Sequence, residues 1–325
     1  MIKVYKTFEI SDGLWQQIAD GFNECFEGHH ETIDSLKNGY CVRNQWGYGY
    51  HAIDFDNETK EIRGFNTYTP SLYKDNVKIL VSGSTFVKEK YRKDIFVYFD
   101  MAKALKKQGQ EEGFVMSLGI PNQNSFQYSL KFLRASYIGN LDYYILPRNF
   151  SRCIRKPSIS FFDCFSRVLS SCHVNLQLLT AKVFNSEEKD VKYSMVIDEE
   201  FYRARFGMPC YQKYVEGSFC AYFRLFDEAG INTAYLMDFR ENGKRTKYAL
   251  AKAVNIIIKR SHPDAILFVG FLRLKQNVLV KVPPKFVPKP LPLTCSILDK
   301  CDKEKFSDMV DVNNWNFSLM NFDVR

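Results

Sequence analysis

The stretch GIPNQNSFQYSLKFLRASYIGNL, from Gly119 to Leu141, brings together residue types that can bind a ligand. A proline, two asparagines and a serine follow an apolar segment and directly precede a helical pattern. Open turns of this kind often carry binding residues, because their backbone and side-chain groups are accessible. The stretch therefore predicts a ligand site at the exit of a strand.

Other side chains with catalytic or metal-binding chemistry form no recognisable set. Asp54 and Asp56 leave a predicted strand, where two surface acids are usually solvated. His29 and His30 fit no metal-ligand spacing with Cys25, and the other three histidines are isolated and form no triad. The sequence therefore predicts no metal site and leaves the general base unidentified.

The charge of the chain favours anionic partners. Lys and Arg number 45 against 37 Asp and Glu, giving a net charge of +8, which suits phosphates, nucleic acid or a lipid surface. Between Gly270 and Leu298 the chain has basic residues and no acid. That cluster is either a solvated face or a surface for phosphate or lipid headgroups.

Composition indicates a globular protein of the cytoplasm. Hydrophobic residues make up 46% and charged residues 25% of the 325 positions, which excludes overall disorder. The nine cysteines include no CxxC pair, and the N-terminal sequence MIKVYKTFEI has no apolar signal segment. Reduced thiols in a cytoplasm therefore fit better than a disulfide framework, and no membrane span is expected.

A strand, a basic turn, a helix and a second strand surround the binding stretch. The strands are Val77–Val87 and Phe114–Ile120, and apolar residues at helical spacing begin at Ile95. This order predicts a βαβ unit with parallel strands. Asn124 is the expected N-cap of the following short helix, and the strand LDYYILP closes the first domain near residue 150.

The second half repeats this plan, with a strand at Ile231–Phe239, a basic turn, a helix and a strand at Ala265–Phe271. We expect tandem domains at 1–150 and 190–325, joined by a helical connector at 151–189. The amphipathic connector either docks between the domains or lies on a membrane surface. The proline-rich segment at 281–293 is expected at a sheet edge.

The chain resembles the GNAT superfamily of acyl-CoA N-acyltransferases, in a branch found with bacterial surface-polysaccharide genes. The resemblance lies in VKEKYRKDIF (87–96), GIPNQNSFQY (119–128) and WNFSLMNFDV (315–324), and it extends over about the whole chain. It implies an α+β fold of two tandem GNAT-like domains, each a mixed sheet with a splayed βαβ unit. It also implies acetyl-CoA or another acyl-CoA as co-substrate.

The resemblance assigns cofactor-binding roles to the βαβ unit. A pantetheine arm would fill the wedge between the splayed strands, and a backbone N–H near Phe86 or Val87 would polarise the thioester carbonyl. The turn at the start of the helix would bind pyrophosphate through its backbone, and its residues are Arg92, Lys93, Asp94 and Ile95. This turn lacks both glycines of the family pattern; in the second domain Arg240–Gly243 retains one, and Arg245 stands at the other position.

The resemblance also implies that the binding stretch lies at the open end of the wedge. Asn122 and Asn124 would bind pantetheine or acceptor, with Ser125 and Tyr128 beside the thioester. Tyr128 could protonate the departing thiolate as general acid. Alternatively, Asn124 only caps the helix and Tyr128 only packs, and in a different helix register Phe132 takes the tyrosine's place and leaves no acid.

Three functions follow as hypotheses. The first is an N-acyltransferase that moves an acyl group from acyl-CoA to a small-molecule amine, such as an amino sugar in surface-polysaccharide biosynthesis, with peripheral membrane contact. The second is a non-catalytic GNAT-fold scaffold, which the missing glycines favour. The third is a Fem-type aminoacyltransferase using aminoacyl-tRNA, and only this hypothesis predicts a nucleic-acid partner.

Overall fold

A computed structural model describes residues 1–28, 30–41, 44–298 and 302–322. The chain divides into two compact units. The first comprises Met1–Asn140, Lys192–Gly207 and Leu291–Trp315, and the second comprises Leu141–Val191, Met208–Pro290 and the residues from Asn316. The units alternate along the chain, whereas we expected consecutive domains at 1–150 and 190–325 with a connector at 151–189.

The described residues form strands and helices in the following order. The strands are β1 (Ile2–Lys6), β2 (Tyr50–Phe55), β3 (Ile62–Tyr73), β4 (Val77–Val87), β5 (Met116–Gly119), β6 (Ser136–Asn140), β7 (Tyr143–Pro147), β8 (Tyr193–Ser194), β9 (Gln212–Glu216), β10 (Phe219–Asp227), β11 (Asn232–Glu241), β12 (Ala265–Val269), β13 (Val280–Lys281), β14 (Pro292–Ile297) and β15 (Trp315–Asn316). The α-helices are α1 (Asp12–Cys25), α2 (Ile33–Cys41), α3 (Ile95–Glu111), α4 (Gln123–Lys131), α5 (Phe150–Cys153), α6 (Phe162–Val183), α7 (Glu199–Phe206) and α8 (Lys247–Ser261).

The first unit is built around a mixed sheet with the strand order β1-β2-β3-β4-β5-β14-β6. Neighbouring strands are antiparallel, except that β4 and β5 are parallel. A parallel pair requires a crossover connection, and α3 provides it. The predicted βαβ unit of the first half is therefore confirmed.

Helix α3 covers one face of this sheet with an apolar stripe. Val97, Met101 and Leu105 recur at intervals of four residues and are buried, as expected for one side of a helix. Asp94 caps the helix, because its carboxylate accepts a hydrogen bond from the Phe96 N–H at 3.0 Å. The helix therefore begins one residue after its cap, where the sequence pattern predicted it.

Helices α1 and α2 cover the opposite face of the sheet. Phe22 of α1 packs edge-on against Phe65 and Phe86, with ring centroids 5.6 and 5.0 Å apart. Gly21 permits this approach, since a Cβ there would lie 2.3 Å from the Phe86 ring. Burying each such aromatic side chain stabilises the fold by about 1.5–3 kcal/mol, so the sheet has an apolar core on both faces.

The second unit has its own mixed sheet, with the strand order β13-β7-β12-β11-β10-β9. Its parallel pair is β11 and β12, and α8 is the crossover between them. Thr246 caps α8 by accepting a hydrogen bond from the Ala249 N–H at 3.0 Å. The second predicted βαβ unit is therefore also confirmed, and both units follow one plan.

Two strands lie where the sequence did not indicate them. β7, expected to close the first domain, pairs with β12 in the sheet of the second unit. β14 lies between β5 and β6 in the sheet of the first unit, although its first two residues belong to the proline-rich segment expected at an edge. Pro292 is tolerated because it pairs only with Asn140 of β6, at the first position of the strand.

The predicted amphipathic connector forms α6 within the second unit. Val174, Gln177 and Ala181 are buried on the side that packs against α8. The other side is apolar and 51–74% exposed, and its residues are Phe165, Val168, Leu169, Leu176, Leu179 and Val183. No helix among the described residues is long and apolar enough to cross a membrane.

Candidate active site

The parallel strands of the first unit part beyond their third residue pair. Ile79, Leu80 and Val81 of β4 pair with Met116, Ser117 and Leu118 of β5. β4 then continues to Val87, whereas β5 ends at Gly119. The predicted splay is therefore confirmed, and main-chain groups of β4 beyond Val81 face an opening on this side.

A cavity of about 380 Å³ lies at this opening, and all of its walls belong to the first unit. Ser82, Gly83 and Thr85 of β4 form one wall, and the turn from Gly119 to Asn122 forms another. Hydroxyl groups dominate the remaining lining, which includes Tyr68, Tyr98, Ser117, Ser125, Ser129, Thr294 and Ser296. The arrangement suits a ligand with polar groups that enters between two strands.

Helix α4 directs one of its sides to the cavity. Ser125 and Ser129 line it at an interval of four residues, and Leu133 lines it beyond the end of the helix. Asn122 caps α4, since its side-chain oxygen accepts a hydrogen bond from the Ser125 N–H at 2.9 Å. The prediction that Asn124 is the cap was therefore wrong, because the helix begins two residues earlier than its sequence pattern suggested.

Tyr128 lies outside the described lining of this cavity, as do Asn124 and Phe132. The Tyr128 ring is 45% exposed, stacks on Phe132 at 6.0 Å and meets Phe99 at 6.3 Å. A helical residue next to Ser129 points about 100° away from it. Of the two residues assigned to catalysis from the sequence, the structure thus brings only Ser125 to the cavity.

Tyr98 is the phenol that the sequence reasoning missed. It lines the cavity from α3, and burial raises its pKa, an effect that a hydrogen bond with the Ser129 side chain opposes. Burial also raises the pKa of Tyr68, another phenol of the lining, which interacts electrostatically with Tyr98. The available signal was the spacing of Tyr98, Ala102 and Lys106, which places all three on one side of the predicted helix.

Lys106 is the basic side chain of the cavity lining. Its ammonium group donates to the Ser296 hydroxyl at 2.9 Å and to the Leu133 carbonyl at 3.3 Å. Burial lowers the pKa of Lys106 to about 8, because charge is disfavoured away from water. Burial also raises the pKa of the neighbouring Cys295 thiol to about 12, which keeps the thiol protonated.

The predicted pyrophosphate turn lies outside the described cavity lining. The carboxylate that caps α3, from Asp94, also accepts a hydrogen bond from Arg63 at 3.0 Å. The Arg92 side chain donates to the Val87 carbonyl at 3.0 Å, and Lys93 and Ile95 are exposed. The N-terminus of α3 thus already has an anionic partner from its own chain.

Phe86 and Val87 also lie outside that lining. Phe86 is 3% exposed and belongs to the aromatic core beneath α1. Val87 pairs with Gly64 at the end of β4, and its carbonyl accepts a weak hydrogen bond from the Cys25 thiol at 3.7 Å. Of the residues assigned to cofactor binding from the sequence, Asn122 therefore lies at the cavity, and the others lie outside its described lining.

The remaining sequence candidates have structural partners. Asp54 is buried between the N-terminal amine and Arg63, each at 3.1 Å, and Asp56 accepts hydrogen bonds from the turn that follows it. His51 is fully buried beside the Thr7 hydroxyl at 2.8 Å, and burial lowers its pKa to about 3. His29 lies outside the described residues, which contain no cluster suited to a metal ion.

The second unit contains the same strand opening, but its own chain fills it. β11 and β12 pair only from Thr233 to Tyr235 on the β11 side. The N–H of Gly270, the residue that follows β12, donates to the backbone carbonyl of Asp142, close to the start of β7. The N–H of Phe271 donates to the Phe317 carbonyl at 2.8 Å. Because successive N–H groups of an extended chain point to opposite sides, the segment at 316–321 occupies the β11 side.

Arg245 completes this closure. The side chain is 1% exposed, pairs with Asp238 at 2.7 Å and with Glu188 at 3.7 Å, and donates to Asn316 at 3.3 Å. Arg240 pairs with the same aspartate at 2.9 Å. In the turn that the resemblance related to a pyrophosphate site, both arginines therefore pair with acidic side chains of the protein itself. The last residues of the matching sequence segment, Asp323 and Val324, lie outside the described residues.

Solved structures similar to this chain include GCN5-related N-acetyltransferases. One from Anabaena variabilis has a TM-score of 0.56, covers 93% of this chain and 74% of its own, and is 10% identical. One from Kribbella flavida has a TM-score of 0.52, with coverages of 92% and 71% and 8% identity. An Enterococcus faecalis protein described as a probable N-acyltransferase has a TM-score of 0.52, with coverages of 92% and 73% and 11% identity.

These similarities confirm the predicted fold class: a mixed α+β, GNAT-like acyltransferase fold over most of the chain. No protein-family model matches the sequence. No curated protein sequence matches it significantly either. At such low identity the similarity concerns the fold, and the chemistry must be argued from the cavity of the first unit.

Proposed function

We propose that the first unit is an N-acyltransferase that uses acetyl-CoA or another acyl-CoA. The observation that carries the proposal is the parting of β4 and β5 beyond Val81, with a polar cavity of about 380 Å³ at the opening. Main-chain groups of β4 left without β5 partners would pair with the amides of the pantetheine arm. The N-acetyltransferases that share the fold support this choice of donor.

In the proposed reaction an amine attacks the thioester carbonyl carbon, a C–N bond forms, and the C–S bond breaks to release a thiolate. Lys106 accepts the proton lost by the amine, because its pKa of about 8 leaves a useful neutral fraction near neutral pH. Tyr98 donates a hydrogen bond to the departing sulfur, since its raised pKa keeps the phenol protonated. Ser125 and Asn122 position the substrates at the mouth of the cavity.

The pyrophosphate is proposed to lie at the N-terminus of α3, as the sequence suggested. The exposed Lys93 and the Arg92 side chain supply positive charge there in place of the family's glycine-supported backbone contacts. Asp94 opposes this binding through its carboxylate, which Arg63 partly neutralises. We therefore expect weaker acyl-CoA binding than a turn with free backbone donors would give.

The acceptor is proposed to be an amino sugar of surface-polysaccharide biosynthesis. The hydroxyl-rich cavity lining suits a polyhydroxylated amine, because each hydroxyl can donate or accept.

The exposed apolar side of α6 supports peripheral contact with the membrane that carries such acceptors. Replacing Leu176 and Leu179 with serine should then reduce co-sedimentation with vesicles, and unchanged co-sedimentation would count against membrane contact.

The central test measures binding and turnover together. Acetyl-CoA should raise the melting temperature (Tm) of the protein and should release free thiol when an amino-sugar acceptor is added. Ser125→Phe, which fills the cavity mouth, should abolish both effects, whereas Gln127→Ala on the exposed side of α4 should keep them. A shift with aminoacyl-tRNA alone would favour the aminoacyltransferase hypothesis, and no shift with any donor would favour the scaffold.

A further inference from the structure

A second cavity, of about 310 Å³, lies entirely within the second unit. It is located where β12 begins, at the opposite end of this strand from the closed opening at Gly270. Arg148 follows β7, Arg152 belongs to α5, and Arg167 belongs to α6; all three line the cavity. Three guanidinium groups, from α5, α6 and the segment between β7 and α5, thus line one space.

Arg148 is the buried member of this arginine cavity. It is 6% exposed, and its Nε has no hydrogen-bond partner among the described residues. One of its terminal nitrogens donates to the Pro263 carbonyl at the long distance of 3.4 Å. Burial lowers the pKa of Arg148, the neighbouring charge of Arg167 adds to the effect, and the negative charge of Asp264 opposes it. A buried guanidinium with an unused donor is costly unless an anion pairs with it.

The nearest carboxylate cannot satisfy all three arginines. Asp264 accepts hydrogen bonds from the Asn149 side chain, from the Asn232 N–H at 2.9 Å and from Arg152 at 3.1 Å. Arg167 donates instead to the neutral Asn149 side chain. The lone pairs of Asp264 are therefore largely used, and Arg148 and Arg167 retain donors for another acceptor.

A second acid, Asp163, interacts with two of the arginines and limits the net charge. Its carboxylate accepts from the Ser151 backbone at 2.8 Å and from the Ser151 hydroxyl at 2.5 Å, and it interacts electrostatically with Arg167 and Arg152. Three arginines minus two aspartates leave a net charge of +1. The site therefore favours an oxyanion over a neutral or cationic ligand.

We propose that the arginine cavity binds a phosphate group, carried either by a soluble phosphomonoester or by a phospholipid headgroup. A planar guanidinium offers paired N–H donors that match phosphate oxygens, and Arg148 and Arg167 approach from different elements. A phosphate dianion can engage both, whereas a carboxylate has fewer acceptor oxygens. This proposal does not depend on the acyltransfer proposed for the first unit.

The test measures binding of inorganic phosphate and glycerol 3-phosphate by calorimetry and by the shift in Tm, at constant ionic strength set with chloride. Arg148→Gln should weaken binding about 10- to 100-fold, as expected for a lost hydrogen bond between charged groups. Lys156→Gln removes the same charge from an exposed position of the same segment outside the cavity, so it should bind as the wild type does. Equal weakening in both variants would overturn the proposal.

Arg167→Gln provides a second variant in case Arg148→Gln does not fold, and it should also weaken phosphate binding. Vesicles of phosphatidylcholine with and without phosphatidic acid distinguish a phospholipid headgroup from a soluble phosphomonoester as the carrier of the phosphate group. Glycerol 3-phosphate binding that is lost in Arg148→Gln supports a soluble ligand. Binding only to phosphatidic acid vesicles, again lost in Arg148→Gln, supports a headgroup. No binding of any phosphate probe by the wild type would refute the site.

Discussion

The ammonium group of Lys106 lies 2.9 Å from the hydroxyl of Ser296, a residue 190 positions further along the chain. The contact joins α3 to β14, the strand that the C-terminal part of the chain adds to the first sheet. It places an amine with a lowered pKa in the wall of the cavity at the strand opening. The proposed proton acceptor is thus positioned by a contact between distant parts of the sequence.

The first prediction concerns the pH dependence of turnover. The rate should rise as Lys106 loses its proton, with a midpoint near pH 8. Lys106→Arg, which stays protonated, should lower kcat by about 10²-fold and remove this limb, because general base catalysis contributes about 10²–10⁴-fold. Profiles of kcat against pH for both proteins provide the measurement. An unchanged limb in Lys106→Arg would assign the titration to another group.

The second prediction concerns stability, again through Lys106. Its pKa is about 8 in the folded protein against an ordinary 10.5, so between these pH values the unfolded chain binds more protons. The free energy of unfolding should therefore rise from pH 8 to pH 10.5. Lys106→Met should raise stability at pH 7 by on the order of 1 kcal/mol and flatten this rise. Urea unfolding across this pH range measures the free energy of unfolding of both proteins. An equal dependence on pH in wild type and Lys106→Met would contradict the prediction.

The third prediction separates the two tyrosines. Tyr98→Phe should lower kcat by about 10²-fold, because it removes a hydroxyl that lines the cavity. Tyr128→Phe should leave kcat near the wild-type value, since that ring packs on Phe132 and Phe99. Steady-state kinetics with acetyl-CoA would decide between them. The opposite pattern would restore the sequence-based assignment of Tyr128 as the general acid.

The fourth prediction tests whether pyrophosphate binds at the start of α3. Asp94→Asn keeps a capping side chain but removes the negative charge, so the affinity for CoA should increase severalfold. Asp94→Ala also removes the charge but should cost about 1 kcal/mol of stability through loss of the cap. Calorimetric CoA titrations and thermal melts of both variants provide the comparison. Identical CoA affinity in wild type and Asp94→Asn would place the pyrophosphate elsewhere.

The fifth prediction tests the closed opening of the second unit. At Gly270 the backbone has φ near +152°, and a Cβ would lie 2.5 Å from the Ser318 Cβ. Gly270→Ala should therefore destabilise the protein by about 1–3 kcal/mol, through strain and displacement of the segment at 316–321. Gly13→Ala is the matched control in α1, where a Cβ meets no atom within 4 Å; it should be neutral or slightly stabilising. Equal stability of the two variants would contradict the close approach.

Local patterns in the sequence were sufficient for both βαβ units. The strand Val77–Val87, the helix from Ile95 and the helix α8 were all found, because apolar periodicity and capping residues act over a few neighbouring positions. The cap of α4 was placed two residues late, since Asn122 and Asn124 have the same capping chemistry and only the fold decides between them.

Residue type and spacing determined the two βαβ units and the polar turn that follows β5, whereas the GNAT-like fold class and the wedge between the parallel strands were expected from the resemblance. Only the tertiary structure decided that β7 and β14 enter different sheets from their sequence neighbours, and that Tyr98 and Lys106 reach the cavity while Tyr128 does not. It also decided that Arg148 lies buried near two other arginines. The physical reason is that strand partners and cavity walls depend on contacts between distant residues, which no local pattern encodes.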